Sequence, residues 1–146
     1  MASKLIAEFT GEYEFLSNFY LCDVGFEGYV YPSAEHAYQA AKTKLREERY
    51  LVRTCGYPAN AKHMGRQVTL RPHWEEIKLS IMHEIVLEKF RHNEHLCERL
   101  LATGTAQLVE GNYWGDTFWG ADGMTLGGQN WLGQILMLVR SALHRE

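Results

Sequence analysis

The stretch Tyr31-Pro32-Ser33-Ala34-Glu35-His36-Ala37-Tyr38-Gln39-Ala40-Ala41-Lys42 constrains this chain more than any other. Pro32 lacks an N–H and disrupts a strand ladder, so the preceding strand is expected to end there. Ser33 carries the hydroxyl of a helix N-cap. Four of the eight residues 34–41 are alanine, the best helix former. The predicted helix runs to about Leu45. Glu35, Gln39 and Lys42, spaced i, i+4 and i+7, share one of its faces. Ala34, Ala37 and Ala41 make a slim neighbouring face that admits another backbone. A carboxylate, an amide and an amine beside a thin helix wall suit a site. They equally suit a solvated helix face, and the dipole alone favours glutamate in a first turn.

The rest of the chain supplies a frame. Leu5–Phe9 reads as a short strand and Thr10–Glu14 as a turn. Leu21–Tyr31 reads as a hairpin, with Gly25 and Gly28 giving it freedom to turn. Short helices are expected over Arg46–Thr54 and Asn60–Met64. A long helix spans about Trp74–His92, with Trp74, Ile77, Ile81, Ile85 and Phe90 inward. Lys78 and Lys89 lie beside that stripe, their stems snorkelling along it. Glu94–Thr103 is another helix, Ala106–Glu110 a strand, and an amphipathic helix follows Asn130. Gly133, costly inside that helix, marks close approach of a neighbouring group.

Composition narrows the function classes. The chain has 146 residues, a size suited to one domain, and a net charge of -3. That charge argues against broad electrostatic binding to nucleic acid, which wants a basic surface, but permits a local basic pocket. Cys22, Cys55 and Cys97 are widely spaced and show no metal-ligand pattern, which suggests reduced thiols and a cytoplasmic location. Met1-Ala2-Ser3-Lys4 leads into only a short apolar run, so no signal peptide is expected, and no stretch is long and apolar enough for a membrane span. The dinucleotide and P-loop glycine signatures are absent.

Chemistry gathers in a few places. Gly111–Gly120 holds Tyr113, Trp114, Phe118 and Trp119 around a single carboxylate, Asp116. Rings beside a carboxylate lower the local polarity, which favours a protonated acid, and they offer stacking surfaces. The alternative is a loop whose rings simply plug the core. Asn18 and Phe19 lie in an aromatic–Ser–Asn–aromatic run, where the asparagine either caps a turn or presents its amide to a ligand. Arg66 follows a predicted helix end and Arg140 sits on the last helix. Each serves either an anion or a structural charge. Paired carboxylates suit glycosidic hydrolysis, and an amine can attack an opened sugar at C1.

These residues, in this order, resemble the NADAR family, the YbiA-like N-glycosidases. The resemblance runs from about Phe15 to Arg140. It rests on Phe15-Leu16-Ser17-Asn18-Phe19, Pro32–Lys42, Gly65-Arg66, Trp74 with Lys78 and Met82, Lys89-Phe90 and Leu101–Gly104. Leu108–Glu110, Asp116-Thr117-Phe118-Trp119-Gly120, and Asn130–Met137 with Arg140 extend it. It implies one α+β domain over residues 1–146, predominantly helical with a small antiparallel sheet. It implies hydrolysis of a C1′–N bond without metal or organic cofactor. Family substrates include phosphoribosylamino-pyrimidines of riboflavin synthesis and ADP-ribose on guanine in nucleic acid. The family's functional glutamate, lysine and aspartate fall on Glu35, Lys42 and Asp116. His73 departs from the pattern, where an acidic residue is expected before Trp74.

The expected roles follow. Asp116 acts as general acid/base. Glu35 orients water or stabilises the cationic sugar. Lys42 forms an imine at C1′ or pairs with substrate charge. Phe19 and Trp119, with Gly120, contact the base or ribose. Asn18 and Asn130 supply hydrogen bonds, and Arg66 and Arg140 contact phosphate. The competing reading is a non-catalytic module for ADP-ribose or ribose phosphate, which has no need for two carboxylates near an anionic ligand.

Overall fold

A computed structural model describes residues 4–146. The expectation made for Met1–Ser3 lies outside them. The elements in chain order are β1 (Leu5–Ile6), a 3-10 helix (Gly11–Leu16), β2 (Leu21–Phe26), β3 (Tyr29–Ser33), α1 (Ala34–Ala41), α2 (Arg46–Arg53) and α3 (Pro58–Met64). Then come α4 (Trp74–Arg91), α5 (Glu94–Leu101), β4 (Gln107–Leu108), β5 (Gly111–Asn112), β6 (Ala121–Asp122) and α6 (Trp131–His144). The class is α+β, predominantly helical. The described residues gather into two compact units, 18–93 and 4–17 with 94–146.

In the unit 18–93, β2 and β3 form an antiparallel hairpin with Phe26 opposite Tyr29 and Val24 opposite Tyr31. Glu27 and Gly28 both have positive φ, the geometry of a tight hairpin turn. Glutamate is disfavoured there. Its carboxylate is anchored by Arg49 at 2.8 Å and Arg71 at 3.3 Å. Burial raises the Glu27 pKa, but the two guanidiniums outweigh it and the net shift is downward. Gly28 supplies the turn, whereas Gly25 lies within β2.

Contrary to expectation, Pro32 does not end β3, which continues to Ser33. A two-stranded sheet has only edges, and a proline is tolerated on an edge. Ser33 then caps α1, its Oγ accepting from the His36 N–H at 3.0 Å. Every residue of α1 is buried, because α2, α3 and α4 all pack against it. Ala34, Ala37, Ala40 and Ala41 are fully enclosed. Side chains reduced to a methyl let three helices approach one axis. The helix stops at Ala41, earlier than expected, and the Lys42 carbonyl turns to accept from the Arg71 N–H at 2.7 Å.

The unit 4–17 with 94–146 is built on α6, which packs on α5 and β4. A Cβ on Gly133 would lie 2.1 Å from the Leu108 carbonyl oxygen, so glycine permits that contact. The β1–β4 and β5–β6 pairs are parallel and two residues long. Among the described residues the sheet content is therefore three separate pairs, of which only the hairpin is antiparallel. No helix among the described residues is long and apolar enough to cross a membrane.

Candidate functional site

The α1 face carries its three polar residues into buried surroundings. Glu35 is 7 % exposed and Gln39 is 4 % exposed, which a solvated helix face would not show. Gln39 Nε2 donates to Glu35 Oε1 at 2.8 Å. The other end of the amide, Oε1, is enclosed and has no hydrogen-bond partner among the described residues. It lies where a Cβ on Gly65 would stand, at 1.9 Å, so the absent side chain at the end of α3 makes room for it. Gly65 precedes Arg66 in the sequence and so supports the site in its own right.

Lys42 follows at the C-cap of α1, half-buried, its ammonium 5.7 Å from the centre of the Tyr38 ring. Burial lowers its pKa below the usual lysine value. The Glu35 charge opposes that shift, Arg66 and Lys78 reinforce it, and Glu75 opposes it again. Lys78 itself is ion-paired to Glu75. A lysine amine whose proton is loosened beside a carboxylate is equipped for attack on an electrophilic carbon.

Asn18 abuts this face. Its carbonyl accepts the Glu35 N–H at 2.9 Å, and its buried amide donates to Met82 Sδ at 3.4 Å. Asn18 thus fixes the entry to α1. The neighbouring Phe19 is exposed. Arg66 is exposed too, and among the described residues its guanidinium makes no hydrogen bond or ion pair. His36, on another face of α1, is structural. Nε2 meets the Cys55 carbonyl at 2.9 Å and therefore carries the proton. Nδ1 accepts from the Ser33 hydroxyl at 2.6 Å. Burial lowers the His36 pKa, against the Cys55 hydrogen bond.

The Asp116 loop belongs to the other unit. Asp116 Oδ1 accepts from the N–H groups of Phe118 at 3.1 Å and Trp119 at 3.0 Å. Asn112 brackets the same turn, accepting from the Asp116 N–H and donating to its carbonyl. The rings of Phe118 and Trp119 meet edge to face with centres 4.9 Å apart. Their carbonyls receive the first N–H groups of α6, from Trp131 and Leu132, so the loop caps that helix with its main chain. Gly120 fits beneath Glu110, whose carbonyl a Cβ would meet at 2.3 Å.

Asn130 ties this scaffold together. Its Oδ1 accepts from the Glu110 N–H and its Nδ2 donates to the Leu108 carbonyl, both at 2.9 Å. Arg140 Nη1 donates to Thr103 Oγ1 at 2.9 Å, a neutral hydroxyl, and burial lowers the Arg140 pKa. The structure thus joins Glu35, Gln39 and Lys42 in one cluster and shows Asn130 and Gly120 engaged in main-chain packing.

The model of the NADAR domain matches residues 7–144. This chain belongs to the NADAR family. It is 37 % identical over 140 residues to N-glycosidase YbiA of Escherichia coli strain K12, covering 92 % of this chain and 84 % of that protein. It is 42 % identical over 137 residues to riboflavin biosynthesis protein VVA0006 of Vibrio vulnificus, covering 90 % of this chain. The match spans only 36 % of the Vibrio protein's length. The solution NMR structure of E. coli YbiA aligns with a TM-score of 0.87 at 34 % identity, over 99 % of this chain and 88 % of that one.

Within this NADAR domain, the sequence placed the Gln39 amide on the Glu35 face as suited to a site but gave it no role. The available signal was its i+4 spacing from Glu35, which brings an amide within reach of a carboxylate. Met82 beneath Asn18 had no comparable signal, because the two are 64 residues apart.

Proposed function

We propose that this NADAR chain is an N-glycosidase, hydrolysing the C1′–N bond between a base, or base-like amine, and a ribose phosphate. The observation that carries the reading is the buried Glu35–Gln39 pair beside Lys42, an amine whose pKa is lowered by burial. The names of the Escherichia and Vibrio relatives support the reaction class, and the Vibrio name favours a phosphoribosylamino-pyrimidine as substrate.

Hydrolysis sends the C1′–N electron pair to the base nitrogen, which takes up a proton, and leaves the water oxygen on C1′. Asp116 is the proposed acid/base for these transfers. Glu35 orients the water or steadies positive charge on the sugar. Gln39 holds one Glu35 oxygen and so fixes where the other can act. Lys42 has two routes. In one it attacks C1′ as the base departs to give a C1′–Nζ glycosylamine, the C1′–O4′ bond then breaks with a proton passing to O4′ to form the imine, and water hydrolyses that imine to release the sugar and free the amine. In the other it pairs with substrate charge. Arg66, exposed near Lys42, is the candidate phosphate contact.

The test is base release measured by mass spectrometry. Separate reactions contain a phosphoribosylamino-pyrimidine and an oligonucleotide bearing guanine-linked ADP-ribose. Release from the pyrimidine alone is expected. Release from the oligonucleotide alone reassigns the substrate, and release from neither overturns the proposed reaction for these substrates.

A further inference from the structure

A cavity lies in the unit 18–93, lined by residues that share none of the Glu35, Gln39 and Lys42 machinery. It has a volume of about 470 Å³ and lies between β3 and α2. Tyr29 and Tyr31 contribute from the strand, and Arg46, Arg49, Tyr50 and Arg53 from the helix. Glu47 is the one acidic residue in the lining. A net charge of -3 for the whole chain makes three arginines around one cavity a local concentration of positive charge.

The arginines are held in different ways. Arg49 is fixed, its Nη2 on Glu27 and its Nε on the Thr43 carbonyl. The Arg53 guanidinium lies 4.9 Å from the centre of the Tyr29 ring and 5.8 Å from that of Tyr50. Arg46 is exposed at the first position of α2, where the helix dipole opposes a cation. Folding alone does not favour that placement, but an anion in the cavity would. Tyr31 adds an independent sign. The residue is 1 % exposed, and its enclosed hydroxyl has no hydrogen-bond partner among the described residues. Buried hydroxyls are normally satisfied, so this one leaves a polar requirement unmet beside the cavity.

We infer that this cavity binds a nucleotide unit, with its phosphate on Arg46 and Arg53 and its base against the Tyr29 and Tyr50 rings. Guanidinium groups match phosphate oxygens in pairs, and tyrosine faces stack bases of any sequence. The volume lies in the range of small-ligand sites. This inference stands apart from the proposed reaction, because neither needs the other.

The test is calorimetric titration of the intact chain with adenosine 5′-monophosphate, adenosine, inorganic phosphate and a single-stranded oligonucleotide six residues long. The monophosphate should bind more tightly than adenosine or phosphate alone. Arg46→Gln with Arg53→Gln should weaken it by about tenfold or more. Tyr50→Ala, a change at an exposed ring, provides a second variant that should also bind more weakly. Gly56→Ala, whose added Cβ meets nothing within 4 Å, should bind as the parent does. Tighter binding of the oligonucleotide than of the monophosphate makes the ligand a nucleotide within a strand, and equal binding makes it a free one. No heat with any nucleotide overturns the inference. So does nucleotide binding that the double arginine change leaves as tight as in the parent.

Discussion

Gln39 Nε2 donates to Glu35 Oε1 at 2.8 Å across one helical turn, with both side chains buried. The bond fixes the amide, so its Oε1 faces the space left by Gly65. Gln39→Ala removes a donor from a buried carboxylate, which costs about 1–3 kcal/mol of stability. Activity should fall by about tenfold, because a misplaced catalytic carboxylate forfeits transition-state contacts. Urea unfolding and base release check the two effects separately. Full activity with lowered stability would make Gln39 purely structural.

Gly65→Ala tests the same bond from the other side. The backbone of Gly65 is ordinary right-handed helix, so alanine brings no backbone strain. Its new Cβ would lie 1.9 Å from Gln39 Oε1 and 2.6 Å from Gln39 Cδ. Gln39 must swing away and break its hold on Glu35. The expected outcome is a loss of about 1–3 kcal/mol and reduced base release. Gly56→Ala is the comparison, since a Cβ there meets nothing within 4 Å.

Local chemistry was legible where one element suffices to state it. The Ser33 cap, the alanine-walled helix and the close approach at Gly133 follow from residue types at adjacent positions. What could not be read depends on partners distant in sequence. Lys89 reads as a snorkelling lysine, yet it is 1 % exposed, its ammonium 5.0 Å from the centre of the Phe90 ring and 5.9 Å from that of Tyr20. The parallel β5–β6 pair joins two-residue strands across a glycine-rich loop and has no periodicity to detect. Asp116 invited a reading as an acid among rings. Its local sequence also permits the turn that the structure shows, with Oδ1 closed on two N–H groups.

Asp116 can be tested without breaking that turn. Asparagine keeps an Oδ1 that accepts from Phe118 and Trp119 but cannot exchange a proton as a carboxyl does. Asp116→Asn should therefore fold with nearly unchanged stability and lose base release by about a hundredfold or more. Asp116→Ala should lose activity and also about 1 kcal/mol of stability. An Asp116→Asn protein with parental turnover would remove Asp116 from the chemistry and leave it the loop's clasp.

Lys42 should reveal its route through pH. An attacking amine must be neutral, and burial places its pKa below the usual 10.5. On the imine route, base release rises with pH toward that depressed pKa, and borohydride traps a sugar–protein adduct. Lys42→Arg keeps the charge and loses both. If Lys42 only pairs with substrate charge, Lys42→Arg retains most activity, no adduct forms, and the rate falls as the amine deprotonates.

Lys89 makes a prediction about stability alone. Burial lowers its pKa from 10.5 to about 8, with the nearby Cys22 opposing the shift. The unfolded chain therefore holds this proton between about 8 and 10.5, where the folded chain has released it. Stability rises with pH wherever the unfolded state binds more protons, so this group penalises folding fully below about 8 and progressively less toward 10.5. The shift corresponds to about 3 kcal/mol at most. Lys89→Met keeps an unbranched apolar stem among the same rings and removes the titration. Its stability relative to the parent should be greatest near about pH 7 and should shrink by about 2 kcal/mol near about pH 9.5. Urea unfolding of both proteins at the two pH values, each carrying Cys22→Ser to remove the thiol coupled to this ammonium, isolates Lys89. Parallel stabilities at both values would show that contacts to the folded ammonium offset its burial.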